Sequence, residues 1–264
     1  MNGPQSGLPM KEVISFVLRT VPRRYLQLVS HTAMKVLAVF YRGNRVECPV
    51  CGHTFRKFLP YGRLVPRENA LCPNCLALER HRLMYLYLKE KTDFFKTHKK
   101  VLHVAPEYCF IDRFEAVATL DYVTADIESP LAKVKMDIHR IPFPENTFDV
   151  AFCNHVMEHV TDDIQAMREL HRVLKPGGWA IIQSPQDWNR ATTHEDATIT
   201  DPNEREKQFW QDDHHRIYGR DYGRRLEKGG FAVTEDRFVL EMPADRVTRY
   251  SLPKGEIIYL CRKN

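Results

Sequence analysis

The sequence contains no uninterrupted apolar run close to the ~18 residues that are needed to cross a lipid bilayer. It also lacks the apolar segment and small-residue cleavage site of a secretory signal, so we expect a cytoplasmic protein. Internal repeats and low-complexity tracts are absent as well. The 264 residues are 43% hydrophobic and 28% charged, which excludes a mostly disordered chain. This length predicts one large domain with room for a small additional module.

Acidic residues are nearly absent from the first 45 positions, which carry seven basic side chains against Glu12 alone. The whole chain has a net charge of +5, so this segment of +6 leaves the remainder at −1. Apolar residues between Ile14 and Val21 follow the spacing of an amphipathic helix. We interpret residues 1–44 as a basic helical arm. Its residues 10–42 would contact the rest of the protein, the anionic inner face of a membrane, or RNA.

Three of the seven cysteines, at positions 109, 153 and 261, have no near partner in the sequence. The other four form two Cys-x-x-Cys pairs separated by twenty residues: Cys48, Cys51, Cys72 and Cys75. Without a secretion signal, such pairs predict a metal site before they predict disulfides. Four thiolates complete a zinc tetrahedron and leave no open coordination position, so a zinc ion here would be structural. Free or redox-active cysteines are the alternative, and zinc is favoured over iron.

The character of the sequence changes along the chain and predicts three parts after the arm. Residues 45–80 are rich in proline and glycine, and we expect a small zinc-ribbon-like unit with a core of its own, here called the four-cysteine module. Residues 81–98 follow a helical pattern and connect it to the next part. Residues 99–264 alternate short apolar strands with amphipathic helices, which predicts an α/β domain with a parallel, doubly wound sheet.

Polar residues follow the predicted strands of this sheet, where ligands of open α/β sheets bind. In chain order they are Ala105-Pro106-Glu107, Asp126, Asp137 and Asn154-His155. An acid placed like Asp126 can accept both hydroxyls of a ribose. Asp137 is placed to bond an adenine amino group while Ile138 covers the ring. Either acid taken alone could equally be a helix cap or a solvated loop residue, but the ordered series predicts a nucleotide site.

Residues 101–184 resemble the class I methyltransferases that use S-adenosylmethionine. The resemblance lies in Met136-Asp137-Ile138, in Asn154-His155-Val156-Met157-Glu158-His159-Val160, and in Arg172-Val173-Leu174-Lys175-Pro176-Gly177-Gly178. Residues 45–262 further resemble a bacterial subgroup in which a two-knuckle zinc module precedes that fold. The features are Cys-Pro-Val-Cys-Gly at 48–52, Leu-Glu-Arg-His-Arg at 78–82 and His-Arg-Ile-Tyr-Gly at 215–219.

This resemblance implies a seven-stranded Rossmann-like sheet whose last strand is antiparallel, with S-adenosylmethionine as the cofactor. It implies that Asp126 with Ile127 holds the ribose, that Asp137 with Ile138 holds the adenine, and that Asn154 and His155 line the methionine end. The first loop departs from the glycine-rich pattern of the family. His103 occupies the usual acidic position, and Ala105 and Glu107 replace the glycines, which predicts that Glu107 pairs with the methionine ammonium group.

The segment 185–221 is rich in histidine, tryptophan and aspartate and is the predicted acceptor loop. A methyl acceptor needs a base near neutral pH, and we expect His215, with His214 and then His159 as alternatives. The charge of Arg216 would keep a neighbouring imidazole neutral. We predict methyl transfer to a hydroxyl group of a small molecule or glycan. The alternatives are methylation of RNA gripped by the four-cysteine module, and a non-catalytic binding protein on the same fold.

Overall fold

The computed structural model describes residues 35–62 and 66–264. The predicted helical arm therefore lies mostly outside the described residues, and its contact with a membrane or RNA stays a prediction. Residues 35–40 are helical, and the first strand begins at Arg42, before the expected start of the four-cysteine module at residue 45. None of the described helices combines the length and the apolar character needed to pass through a bilayer.

Strands and helices alternate through the second half of the chain, as the sequence pattern predicts. The strands are β1 (Arg42–Glu47), β2 (Thr54–Phe55), β3 (Leu59–Tyr61), β4 (Arg67–Leu71), β5 (Lys99–Val104), β6 (Leu120–Asp126), β7 (Val134–Lys135), β8 (Phe148–Asn154), β9 (Leu174–Gln183), β10 (His194–Glu195), β11 (Arg216–Ile217), β12 (Ala232–Asp236) and β13 (Ile258–Arg262). Besides the helical residues 35–40, the helices are Glu79–Glu90, Tyr108–Glu115, Asp163–Val173, Pro202–Phe209, Tyr222–Lys228, Phe238–Glu241 and Ala244–Arg249.

Seven strands form the central sheet in the order β12-β13-β9-β8-β5-β6-β7. Strands β5 to β9 run parallel, whereas β13 is antiparallel to both of its neighbours. This confirms the predicted α/β, Rossmann-like architecture. Because β5 and β8 are adjacent and parallel, their carboxyl ends meet at one edge, which brings the first loop and Asn154-His155 together.

The four-cysteine module packs directly on this sheet. One cluster of buried side chains contains Cys48 and Phe58 from the module together with Val101, Phe152 and Trp179 from the sheet. The module therefore does not have the separate core that the sequence suggested. The two parts bury their apolar surfaces against each other.

Arg82 connects the same two parts through buried hydrogen bonds. The side chain is fully buried, and its guanidinium group lies 4.3 Å from the ring centre of Phe58. It donates hydrogen bonds to carbonyl oxygens of the module, at Asn69, Ala70 and Ala77, and of the C-terminal segment, at Tyr250 and Ser251. A planar group with five donors suits this role, which a lysine could not fill. Arg82 thus links the module to the C-terminal part of the sheet domain.

Candidate active site and four-cysteine cluster

The two Cys-x-x-Cys pairs form similar turns. In the first, the Gly52 amide donates to the Cys48 carbonyl at 2.8 Å, and in the second the Leu76 amide donates to the Cys72 carbonyl at 3.0 Å. Both donors have a left-handed backbone, with φ of 71° at Gly52 and 61° at Leu76. Glycine adopts this conformation without strain, whereas leucine does so at a cost. The second turn is therefore held by its surroundings.

The four sulfur atoms lie at the spacing of a zinc tetrahedron. Sγ of Cys48 is 3.6 Å from Sγ of Cys75, and Sγ of Cys51 is 3.8 Å from Sγ of Cys72. A zinc–sulfur bond of about 2.3 Å gives a tetrahedral edge of roughly 3.8 Å. None of the four forms a disulfide, and all four sulfur atoms lie within 4.8 Å of one another. The residues that the sequence singled out could therefore hold zinc.

A cavity of about 250 Å³ lies at the carboxyl edge of strands β5 and β6. Its lining includes Ala105, Asp126, Ile127, Asp137 and Ile138, all of which the sequence assigned to a cofactor site. The other lining residues are Val104, Met136, His139, Val156, His159, Val160 and Thr161. Most of this wall is apolar. Ile127 is 56% exposed, so the cavity offers an open apolar face for a flat ring.

The two acids at this cavity are arranged alike. Oδ1 of Asp126 accepts the backbone amides of Glu128 and Ser129 at 2.7 and 2.6 Å. Oδ1 of Asp137 accepts the amide of His139 at 2.9 Å and contacts its ring Nδ1 at 2.7 Å. The amide of His139 lowers the pKa of the Asp137 carboxyl. In both acids one oxygen fixes the loop, and Oδ2 has no hydrogen-bond partner among the described residues.

The first loop makes its turn without a glycine. Ala105 has a left-handed backbone with φ of 49°, and its amide donates to the carbonyl of Ala125 at 2.8 Å. Below it, Nε2 of the fully buried His103 lies 2.5 Å from Oε2 of Glu107, and Nδ1 of His103 lies 2.7 Å from the hydroxyl of Tyr122. His103, Glu107 and Asn154, all of which the sequence assigned to the cofactor site, are not among the residues that line this cavity. His103 holds Glu107 from beneath the loop.

Glu107 is the centre of a buried polar cluster. Its Oε1 accepts a hydrogen bond from Nδ2 of Asn154 at 3.0 Å and lies 3.8 Å from Nε2 of His81. Burial raises the pKa of this carboxyl, but the charge and hydrogen bond of His103 outweigh it and set the pKa to about 2. A carboxylate therefore sits at the predicted methionine end. Oδ1 of Asn154 is buried there without a hydrogen-bond partner among the described residues.

His81 makes folding stability dependent on pH. Burial, together with the charge of Arg80, lowers the pKa of this histidine to about 3, against about 6.5 in an unfolded chain. The folded state therefore keeps the ring neutral, while the unfolded state gains a proton below pH 6.5. Stability is fully present above this value and falls as the pH decreases toward 3.

We expect wild-type protein to lose about 1.4 kcal/mol more stability than His81→Asn between pH 7.5 and 5.5. The asparagine oxygen can still accept the Leu78 amide, which lies 3.1 Å from Nδ1 of His81, but it does not titrate. Urea unfolding at the two pH values measures the difference. Equal losses in both proteins would show that His81 does not control this response.

A larger cavity of about 560 Å³ lies between the sheet domain and the four-cysteine module. The module and the following helix contribute Arg67, Glu68, Glu79 and Arg80, and the sheet domain contributes His155, Gln183, Ser184, Pro185, Gln186, Trp188, Ser251, Leu252, Pro253, Gly255, Glu256, Ile257 and Tyr259. Trp188 is 44% exposed, and burial raises the pKa of Glu256. Sequence reasoning missed this cavity, because its walls come from segments that are distant in the chain.

His155 stands at the end of β8 between the two cavities. Its backbone is left-handed, with φ of 55°, and its amide donates to the Gln183 carbonyl at 2.7 Å. Nδ1 lies 3.3 Å from Oε1 of the buried Glu158, and Nε2 is buried without a hydrogen-bond partner among the described residues. Strained backbone of this kind is common at functional sites. Glu158 thus orients His155 beside the larger cavity, whereas Val156 lines the smaller one.

The three histidines predicted as bases occupy different positions. His159 lines the smaller cavity, and the buried His214 packs against it with 4.6 Å between ring centres. His215 is half-buried and lines neither of the two cavities, and its backbone amide donates to the Glu158 carbonyl at 2.8 Å. Burial and the charges of Arg205 and Arg216 lower the pKa of His215, in the direction that the sequence predicted.

Arg216 and Tyr218 hold the segment that carries Glu158 and His159. Arg216 is buried and donates to the carbonyl oxygens of Met157, Val160 and Thr161 at 2.7, 2.5 and 2.9 Å. The hydroxyl of Tyr218 lies 3.1 Å from the same Met157 oxygen and 2.7 Å from Oδ2 of the buried Asp163, at the start of the next helix. The sequence singled out this stretch for its histidines, but its arginine and tyrosine fix the loop after β8.

Part of the chain is similar to proteins of known type. Residues 104–182 match the model of a family described as a methyltransferase domain. This part of the chain is therefore similar to methyltransferase domains. The segment contains the first loop and strands β6 to β8, and it therefore contains the walls of the smaller cavity.

Curated relatives of this methyltransferase domain match over short stretches. An uncharacterized methyltransferase of Schizosaccharomyces pombe is 48% identical over 46 residues, which cover 17% of this chain and 16% of the relative. The ubiquinone/menaquinone biosynthesis C-methyltransferase UbiE of Coxiella burnetii is 37% identical over 49 residues, which cover 19% of this chain and 20% of that protein. The matches thus span about a fifth or less of these relatives.

One solved structure resembles the methyltransferase domain and much of its surroundings. The [4+2]-cyclase SpnF has a TM-score of 0.50 and 15% sequence identity, and the match covers 89% of this chain and 95% of that one. Identity at this level shows a shared fold alone. A cyclase on the same fold also illustrates that the fold does not fix the reaction.

Proposed function

We propose that the protein transfers a methyl group from S-adenosylmethionine to a hydroxyl group of a polar small molecule or glycan. The arrangement of the two cavities carries this proposal. Val156 lines the smaller cavity and its neighbour His155 lines the larger one. A donor and an acceptor bound on either side of this point would meet at the end of β8, and such positioning is a large part of catalysis of a transfer between two substrates.

The smaller cavity suits S-adenosylmethionine, which supplies the methyl group when it is bound. Asp126 would hold the ribose and Asp137 the adenine amino group, each through the oxygen that its own loop leaves unpaired. Ile127 and Ile138 would cover the ring. The ionised Glu107 and the unpaired Oδ1 of Asn154 do not line this cavity, and their charge and lone pair would favour an ammonium group from beneath the first loop.

The larger cavity suits a polar acceptor of low net charge. Its wall pairs Arg67 with Glu79 at 2.9 Å and adds Glu68, Arg80 and Glu256, so both signs of charge are represented. Trp188 offers an exposed aromatic face, on which a sugar ring can stack. Carboxylates in the wall oppose a polyanion, which makes RNA the less suitable acceptor. The loss of the family's glycines from the first loop favours the non-catalytic alternative, but the left-handed Ala105 keeps the turn without them.

We further propose that Cys48, Cys51, Cys72 and Cys75 bind one structural zinc ion, as in the subgroup that the sequence resembles. Their sulfur spacing supports this assignment. The zinc would then fix the module whose residues form one wall of the larger cavity, and so it would act on the acceptor site indirectly.

We expect Asp126→Asn and Asp137→Asn to weaken binding of S-adenosylhomocysteine about 5- to 150-fold, as measured by calorimetry. Each loses the carboxylate oxygen that has no partner in its own loop, at a cost of about 1–3 kcal/mol, and keeps the one that fixes the loop. Asp121→Asn is the matched control. Asp121 lies near the amino end of β6, whereas Asp126 lies at its carboxyl end, beside the cavity. Unchanged affinity in both variants would place the cofactor elsewhere.

Transfer itself is tested with labelled S-adenosylmethionine and a fractionated cell extract. We expect label to enter a low-molecular-weight or glycan fraction. Label in the RNA fraction would favour the nucleic-acid alternative. Tight binding of S-adenosylhomocysteine without transfer to any fraction would favour a binding protein.

A further inference from the structure

Glu158, His159 and His214 form a second cluster of metal-ligating groups, separate from the four cysteines. Each offers one ligand atom within 4.8 Å of the others. Glu158 and His214 are buried, and His159 is half-buried at the wall of the smaller cavity. Two of these residues come from the loop after β8, and the third comes from the segment before β11.

The hydrogen bond of His214 leaves one ring nitrogen available for a metal. Nδ1 lies 2.8 Å from the backbone carbonyl oxygen of Phe209. A carbonyl oxygen can only accept, so Nδ1 carries the hydrogen and Nε2 carries a lone pair. The side chain is 1% exposed, and this Nε2 has no hydrogen-bond partner among the described residues. An unpaired buried acceptor is destabilising, and a bound ion would offset this cost.

Neighbouring side chains also contact His159 and Glu158. Nδ1 of His159 lies 3.2 Å from Oδ2 of Asp213, an ion-pair contact that favours the hydrogen on Nδ1 and Nε2 as the ligand. Oε2 of Glu158 accepts a hydrogen bond from the hydroxyl of Ser184 at 2.8 Å. Oε1 of Glu158 lies 3.3 Å from Nδ1 of His155. Outer contacts of this kind commonly fix the ligands of a metal.

We propose that Glu158, His159 and His214 bind one divalent transition-metal ion at the border of the cofactor cavity. Two imidazoles and one carboxylate suit Zn²⁺, Fe²⁺, Mn²⁺ or Co²⁺, whereas Ca²⁺ and Mg²⁺ prefer oxygen ligands alone. Three protein ligands leave one position for water. Water bound there would lose a proton more easily. This metal site can exist without methyl transfer, so its test does not depend on the proposed function.

The test is titration of full-length, zinc-loaded protein with Mn²⁺, followed by electron paramagnetic resonance. Mn²⁺ is a poor competitor for four thiolates, so the four-cysteine site does not contribute to the signal. We expect one saturable Mn²⁺ per chain. His214→Asn keeps a donor toward the Phe209 carbonyl and removes Nε2, and it should weaken binding by at least about tenfold. Glu158→Gln should do the same.

His171→Asn is the control, because His171 lies on the helix Asp163–Val173 and packs against Phe231, away from the cluster. Asp213→Asn is a variant that keeps all three ligands, and we expect binding to weaken about 10- to 100-fold through the loss of the outer contact. Two results would overturn the proposal. One is the absence of saturable Mn²⁺, Co²⁺ and additional Zn²⁺ binding. The other is Mn²⁺ affinity that is unchanged in His214→Asn, Glu158→Gln and Asp213→Asn.

Discussion

Removing the proposed zinc ion should unfold the central sheet together with the four-cysteine module. The two share one cluster of buried side chains, which includes Phe58 of the module and Val101 of β5. Zinc in a structural site contributes about 10–16 kcal/mol of binding free energy at neutral pH. That is as large as the whole stability of a typical domain, at about 5–15 kcal/mol. Hydrogen exchange of the β5 and β8 amides, before and after chelation, measures the outcome.

The matched variants for this experiment are Cys72→Ser and Cys261→Ala. Both cysteines are buried, but Cys261 lies on β13 and outside the cluster of four. We expect Cys72→Ser to lose exchange protection throughout the described sheet. Cys261→Ala should lose only about 1 kcal/mol of unfolding free energy, as for other small truncations of buried side chains, and should keep its protection. Exchange that rises in residues 45–80 alone, while β5 and β8 stay protected, would show that the module and the sheet fold independently.

The expectation that the module has its own core came from the proline- and glycine-rich composition of residues 45–80. It was wrong for a physical reason. Turn-rich composition predicts the local fold of residues 45–80, but it does not show against which surface they pack. The decisive contacts are made by Arg82, whose partners at Tyr250 and Ser251 are 168 and 169 residues away in the chain. Contacts at that separation leave no periodic signal.

The sheet and the smaller cavity were predictable because both depend on short-range patterns. Apolar runs alternating with amphipathic helices fix parallel strands, and parallel strands bring their carboxyl ends to one edge. Asp126 and Asp137 therefore reach the same cavity, as expected. The larger cavity was not predictable, because Arg67 and Tyr259 meet there only through the docking of the module.

The identity of the general base is the point at which the sequence prediction and the structure differ most. The sequence favoured His215 for its neighbour Arg216, but Arg216 is committed to the loop after β8. His155 was assigned to the cofactor, and the structure places it at the wall of the larger cavity, with Glu158 beside its Nδ1. A left-handed histidine at a strand end has no signal in hydropathy or spacing, so this position could not be inferred from the sequence alone.

His155→Asn should therefore slow methyl transfer by about 10²–10⁴, while affinity for S-adenosylhomocysteine changes only a few-fold. Asparagine tolerates the left-handed backbone and can still donate to Glu158, but it lacks Nε2, the unpaired ring nitrogen that we propose as the base for an acceptor hydroxyl. The measurement is the initial rate of labelled-methyl incorporation into the active fraction of a cell extract. His215→Asn is the matched variant, and we expect its rate to fall only a few-fold. The reverse order of the two variants would restore His215 as the base. Equal, small effects in both would mean that alignment of donor and acceptor at the end of β8 suffices for transfer.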